Sequence, residues 1–186
     1  MGLLASWEDF ENGGLYSRYR RYPFFATRAE YLDKYPGTIL VVGCGWGFLV
    51  DELRKRGREA WGVDLSDYAI MSASREVPDV IGYILQGDAR RDLSVGPGQF
   101  DVTISEDMLT VMDNPGEMLR VHREMVKVSD TVIHLVTFDH PHKSETQDKR
   151  VRWHDRLWWG EQFGDAIIVD AVTLNVPEVP DRRPVR

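Results

Sequence analysis

Thr38-Ile39-Leu40-Val41-Val42-Gly43-Cys44-Gly45-Trp46-Gly47-Phe48 decides the fold of this chain. Its first five residues are a continuous apolar run, the pattern of a central parallel strand buried on both faces. Three glycines at alternate positions follow, where the backbone must turn tightly and stay close to whatever it faces. Trp46, Leu49, Val50 and Leu53 then recur at the i, i+3, i+4, i+7 spacing of one helix face. Asp51 and Glu52 precede Arg54, Lys55 and Arg56, the charge order that suits the helix dipole, and Gly57 is placed to end the helix. Strand, glycine turn and helix form the first unit of an alternating α/β chain.

Downstream the alternation continues. Ala60-Trp61-Gly62-Val63-Asp64 reads as a second strand, and Ser66 as the N-cap of a helix over 67–75. Strands are predicted at 81–86, 100–105 and 132–138. Asn114-Pro115-Gly116-Glu117 combines an N-cap, a proline at the first helical position and an acid at the third, and Met118, Val121, His122 and Met125 form the apolar face behind it. Strands alternating with helices imply a doubly wound, mostly parallel sheet. Upstream, 27–34 reads as a helix preceded by an aromatic-rich segment that includes Tyr16, Tyr19 and Tyr22. After 138 the alternation stops: 140–152 is polar, 153–163 has helical character, 165–174 resembles a strand and 177–186 a frayed tail. The expectation is one domain over 1–186, with a cap at 1–37, a core at 38–138, a segment covering the reactive end at 139–176 and a tail at 177–186.

The bulk numbers narrow the class. At 186 residues, 42% hydrophobic and 28% charged, the chain has the composition of a soluble globular domain. No apolar run reaches the length of a membrane span, and the acidic start argues against a secretory signal. Met1-Gly2 with Ser6 fits only the loose myristoylation pattern. One cysteine, Cys44, excludes an intrachain disulfide and a multi-cysteine metal site, so a reducing cytoplasmic setting is expected and no metal. A net charge of −7 argues against a nucleic-acid partner, although Arg18, Arg20 and Arg21 and the stretch 149–156 are local basic clusters.

Three elements carry ligand chemistry. Gly43-x-Gly45-x-Gly47 lies where a doubly wound sheet binds its ligand, beyond the carboxyl ends of the strands. Phe48 stands where a dinucleotide fingerprint wants glycine or alanine, which argues against nicotinamide. Asp64 ends strand two 21 positions after Gly43, the separation that sets a carboxylate beside a ribose. Asp88, in Gln86-Gly87-Asp88-Ala89 after strand three, offers an acceptor for an adenine amino group.

From Ile39 to about Phe138 the chain resembles the class I S-adenosylmethionine-dependent methyltransferases, which have a Rossmann-like fold. The matching pieces are Val42 to Gly47, Gly62 to Ser66, Gly87-Asp88-Ala89, Phe100 to Ser105 and Met118 to Arg123. The resemblance implies S-adenosyl-L-methionine as cofactor. It implies that Gly43, Gly45 and Gly47 pack against its methionine part and ribose, with Cys44 offering its backbone. Asp64 would hold the ribose hydroxyls and Leu65 would lie against adenine. Asp88 and the Ala89 backbone would meet the adenine edge, and Ser105 and Glu106 would lie by the sulfonium. Few residues remain after strand five for the family's final strand pair, so the sheet is expected to be abbreviated there.

The departures bear on the acceptor. Val41 stands where the family often has an acid. Leu109-Thr110-Val111 replaces the Leu-Glu-His of many small-molecule members. Ser105-Glu106-Asp107-Met108 replaces the Asn/Asp-Pro-Pro-aromatic motif of amino-group methylators. The missing amino-methylator motif, the acidic charge and the short chain favour a small-molecule acceptor methylated at oxygen. A cofactor-binding regulatory protein without activity and an RNA methyltransferase using the basic clusters are the alternatives. His140, just after strand five, is the candidate base, with His142 beside it. His154 and Trp153, Trp158 and Trp159 could wall an acceptor pocket, while His122 and His134 read as structural.

Overall fold

Ile39–Val42 is β1, the centre of a six-stranded sheet whose strands are all parallel. The structure is a computed structural model and describes residues 21–93, 99–112, 114–138 and 154–171. In chain order the elements are α1 (Phe24–Leu32), β1, α2 (Phe48–Lys55), β2 (Ala60–Asp64), α3 (Asp67–Glu76), β3 (Ile84–Gln86), β4 (Phe100–Glu106), α4 (Pro115–Val128), β5 (Ser129–Val136), α5 (Arg156–Gln162) and β6 (Ile167–Asp170). The strand order is β3-β2-β1-β4-β5-β6. The order reverses between β1 and β4, which makes the glycine turn after β1 the switch point of the sheet.

Strand alternation divides the core into two layers. Ile39, Val41, Ile104, Ile133 and Leu135 face α1 and α2, where Phe25, Leu32, Phe48 and Leu53 pack against them. Leu40, Val42, Val132 and Val136 face the other way, toward Met118, Val121 and Met125 of α4 and Trp159 and Phe163 around α5. Both layers are buried, so β1 is apolar at every position, as the opening run requires.

Caps fix several helix starts. The Ser66 side chain accepts from Ala69 N, and the Asn114 side chain accepts from Gly116 N. Gly57, at φ 78°, follows α2 in the left-handed conformation of a helix terminator.

Four boundaries differ from expectation. β3 begins at Ile84 and not at Ile81, because Tyr83 N closes a turn onto Val80 O and Gly82 sits at φ 87°. β5 begins at Ser129, where α4 runs directly into the strand, and it ends at Val136. α1 begins at Phe24, earlier than predicted, with Pro23 at its N-cap. Trp46 belongs to the turn: α2 starts at Phe48, with Gly47 as N-cap at φ 81°. Six strands are present among the described residues, and residues 177–186 lie outside them.

Candidate active site

The turn after β1 is built on left-handed backbone. Gly43, Gly45 and Gly47 have φ of 72°, 55° and 81°. A Cβ on Gly43 would come within 2.5 Å of the Met108 side chain, so the segment after β4 lies directly against this turn. Gly43 N and Cys44 N both donate to Val63 O of β2, at 2.8 and 3.0 Å. Cys44 is buried, and burial pushes its thiol well above the ordinary value, with Asp64 adding to the rise. It presents backbone here, and its sulfur is no nucleophile.

Asp64 spans the opening of the turn. Its Oδ2 accepts from Gly45 N at 2.7 Å and its Oδ1 from Ser66 N at 2.9 Å, and the residue is buried. Leu65 beside it is half-buried. At the end of β3, Asp88 is gripped by Arg90, whose Nε and Nη2 donate to its two oxygens, each at 2.8 Å. Arg90 holds the Asp88 carboxyl below its ordinary value, with burial opposing, and Arg91 lies 3.2 Å away. Ala89 packs partly against the α4 layer. A ligand with a diol and a further amino group fits two carboxylates so placed at the ends of neighbouring strands.

Ser105 and Glu106, both expected at the reactive end, are sent to opposite faces by the pleat. Ser105 is completely buried on the α4 side, with Oγ 2.7 Å from Nδ1 of His134. Nε2 of His134 is 3.1 Å from Nδ1 of His122, and Nε2 of His122 is 2.9 Å from Asp165. Every ring nitrogen of the two histidines thus has a partner, and the line runs unbroken from Ser105 to Asp165. Burial pushes the His134 ring down to about 3, with His122 adding to the fall. The two histidines read as structural therefore form a connected polar line through the interior. Sequence spacing gives no signal of it, because its members come from β4, β5, α4 and the segment before β6.

Glu106 faces the α1 layer and pairs with Arg28, which also reaches Asp107 at 3.3 Å. Arg28 is buried and lies over the Phe24 ring, 4.2 Å from its centroid. Sequence reading passed over Arg28 and Asp107. The signal for Arg28 would have been a lone arginine amid the apolar positions of a helix.

Other expected residues are placed as follows. Arg21 pairs with Asp51 and Glu52 of α2, which occupies the described member of the first basic cluster. Tyr22 stacks on Phe24, 5.1 Å between centroids. His154 stacks on Trp158 at 3.6 Å, while Trp159 is completely buried against Phe163. A cavity of about 460 Å³ lies along β6, lined also by Tyr31, Phe138 and Arg156, and it borders none of the glycine-turn residues. His140, His142, Trp153, Tyr16, Tyr19, Arg18 and Arg20 lie outside the described residues. Among the described residues no helix is long and apolar enough to cross a membrane, and no three His, Cys, Asp or Glu side chains are grouped to hold a metal.

Comparison with known proteins gives a consistent picture. The ubiquinone biosynthesis O-methyltransferase of Shewanella halifaxensis is 32% identical over 109 residues, 54% of this chain and 45% of that protein. The protein of the same name from Azoarcus is 30% identical over 112 residues, 56% of this chain and 48% of that one. The chain thus spans about half the length of the curated relatives it matches. Among solved structures, magnesium protoporphyrin IX methyltransferase from Synechocystis, with bound SAH, superposes with a TM-score of 0.60 at 19% identity. That match covers 76% of this chain and 70% of the other, and it speaks to the fold. Residues 40–133, half of the chain, match the methyltransferase domain family. With the glycine turn, the acid after β2 and the doubly wound sheet in place, the chain belongs to that family, the class I methyltransferases that use S-adenosylmethionine.

Proposed function

We propose that this protein transfers a methyl group from S-adenosylmethionine to a small-molecule acceptor, at oxygen. The observation that carries the reading is Asp64, held at the end of β2 by Gly45 N and Ser66 N with its carboxylate set directly against the glycine turn. In this reading Asp64 accepts the ribose hydroxyls, and Gly43, Cys44, Gly45 and Gly47 line the rest of that half with backbone. Leu65 covers one adenine face, while Asp88 and the Ala89 backbone meet its edge, Asp88 sharing its oxygens with Arg90. Glu106, fixed by Arg28, borders the reactive end, and Ser105 contributes there through its backbone.

The cofactor, when bound, supplies a methyl group already activated by its sulfonium, so the protein's task is alignment and, for a hydroxyl acceptor, proton removal. Names of relatives at 30–32% identity support oxygen as the atom. Thr110 and Val111 are consistent with a site organised differently from the Leu-Glu-His type: Thr110 is buried, its hydroxyl donating to Asp107 O at 2.5 Å. The single buried thiol suits a reducing cytoplasmic setting.

Calorimetric titration of the protein with S-adenosylmethionine tests the reading, alongside Asp64→Ala and the isosteric Asp64→Asn. Saturable binding by the parent chain and its loss in both variants, with melting curves showing that they fold, is the expected outcome. Labelled methyl transfer into the low-mass fraction of a cell extract is the second arm. A folded parent chain that binds no cofactor overturns the proposal.

A further inference from the structure

The loop after β3 is pinned across the end of β2. Gly87 N donates to Asp64 O at 2.9 Å, and a Cβ on Gly87 would come within 2.8 Å of the Val63 side chain. Ala89 packs against the α4 layer, and Leu93 anchors the far end of the loop, completely buried. Asp88 thus stands next to a residue bonded to Asp64, on a segment anchored on both sides.

Within this loop Arg90 grips Asp88 from its backbone N at 3.0 Å and Nε at 2.8 Å, both on Oδ1, and from Nη2 at 2.8 Å on Oδ2. The two side-chain bonds form a fork, which fixes the plane of a carboxylate as well as its charge. The remaining guanidinium nitrogen, Nη1, lies 3.5 Å from Glu117 in the first turn of α4, so the arginine is itself held from the far side. The Arg90 side chain is 25% exposed and that of Asp88 18%. Arg90 holds the carboxyl below its ordinary value, so at neutral pH Asp88 accepts and does not donate. An ionised carboxylate accepts about four donors. The other neighbour here is Arg91, with Nε 3.2 Å from Oδ2 on a side chain 83% exposed. Oδ2 is therefore the oxygen that a bound molecule can share, in exchange for an arginine that solvent can take back.

We propose that Arg90 is a positioning residue that makes the site select a purine with an amino group at C6 over one with an oxo group there. The proposal rests on the reading above that Asp88 meets the adenine edge. A 6-amino group donates to a carboxylate. A 6-oxo group turns lone pairs toward it, and the donor of that edge moves to the neighbouring ring nitrogen, N1. A carboxylate free to rotate can swing to the N1–H, and one gripped by a fork cannot follow it. Arg90 therefore acts as much against the wrong base as for the right one.

The test is calorimetric and needs no acceptor. Its ligands are S-adenosylhomocysteine and S-inosylhomocysteine, which differ only at this edge of the purine. The parent chain should bind the adenosyl compound about 100-fold more tightly, the scale of a hydrogen bond to a charged group. In Arg90→Met the ratio should fall below about 10-fold, the adenosyl compound binding more weakly and the inosyl compound more tightly. Arg90→Lys, which keeps the charge and loses the fork, should also lose most of the ratio. In an Asp88→Ala background, Arg90→Met should change the ratio by less than about twofold, because the arginine acts through the carboxylate. Melting curves establish that each variant folds. Equal weakening of both ligands in Arg90→Met, or a parent-like ratio in Arg90→Lys, overturns the inference alone. A parent chain that binds the adenosyl compound without preferring it overturns the Asp88 reading, and the inference with it. A parent chain that binds neither overturns the cofactor site itself.

Discussion

Ser105 and Glu106 are consecutive residues of β4, and the two polar clusters they anchor differ in nearly every physical respect. On the α1 face Glu106 enters a charged group with Arg28 and Asp107, strained at φ 50° and open at one member. On the α4 face Ser105 enters a hydrogen-bonded line with His134 and His122, closed to solvent until it ends at Asp165. Each bond in that line fixes the tautomer of the next ring, and every polar atom along it is matched. Such a network specifies a unique core. The charged group sets two carboxylates on the single cation Arg28 and leaves Asp107 partly exposed. One residue of register separates the two clusters.

The comparison can be broken at several points. Arg28→Ala should have the largest effect. It leaves Glu106, whose side chain is 9% exposed, without its cation, and a loss of about 3 kcal/mol in urea unfolding is expected. A loss under about 1 kcal/mol would mean that the charged group is no more integral to the fold than a surface pair.

His134→Leu comes next, at about 2 kcal/mol, because the Ser105 hydroxyl and the His122 ring each lose a partner inside the protein. Adding Ser105→Ala should recover part of that, since removing both ends of a buried bond costs less than removing one. Strict additivity in this cycle would show that the line is not coupled.

The third test is pH. His134 titrates near 3 in the folded chain and near 6.5 unfolded, so between those values the unfolded chain binds the extra proton. This contribution to stability is complete above about 6.5 and declines on acidification, by up to about 1.4 kcal/mol per pH unit. Unfolding followed from pH 7 to pH 5 should show the decline in the parent chain and its reduction in His134→Leu. The smallest effect is expected for Asp165→Asn. Asp165 is 67% exposed and the amide oxygen can still accept from His122, so thermal unfolding should move by less than about 1 kcal/mol.

The sequence showed the central architecture plainly because its signals are local. An apolar run, alternate glycines and a helix face at fixed spacing decide β1 and α2 within about sixteen residues, and Ser66 and Asn114 announce their helices. The acid at the end of β2 was legible from its distance to the glycines. The two clusters around β4 were not. Arg28 meets Glu106 across 78 positions, and His122 meets Asp165 across 43, which no periodicity encodes. Alternation alone would have separated Ser105 from Glu106, but it could not say which face held the ligand. At Ile81 a run of apolar residues suggested a strand that the geometry of Gly82 forbids.

The register of the sheet also sets an order of assembly. Ile39 at the centre pairs with Ala60 on one side and with Val102 on the other. A nascent chain can form the β1–β2 pair early, while the other edge of β1, apolar at every position, stays bare until β4 has been made. Parallel pairings between distant segments form slowly, and such an unpaired apolar edge invites association with other chains in the interval. Folding of this domain is therefore expected to benefit from slow elongation, or from a chaperone that shields residues 39–42, between synthesis of β2 and of β4.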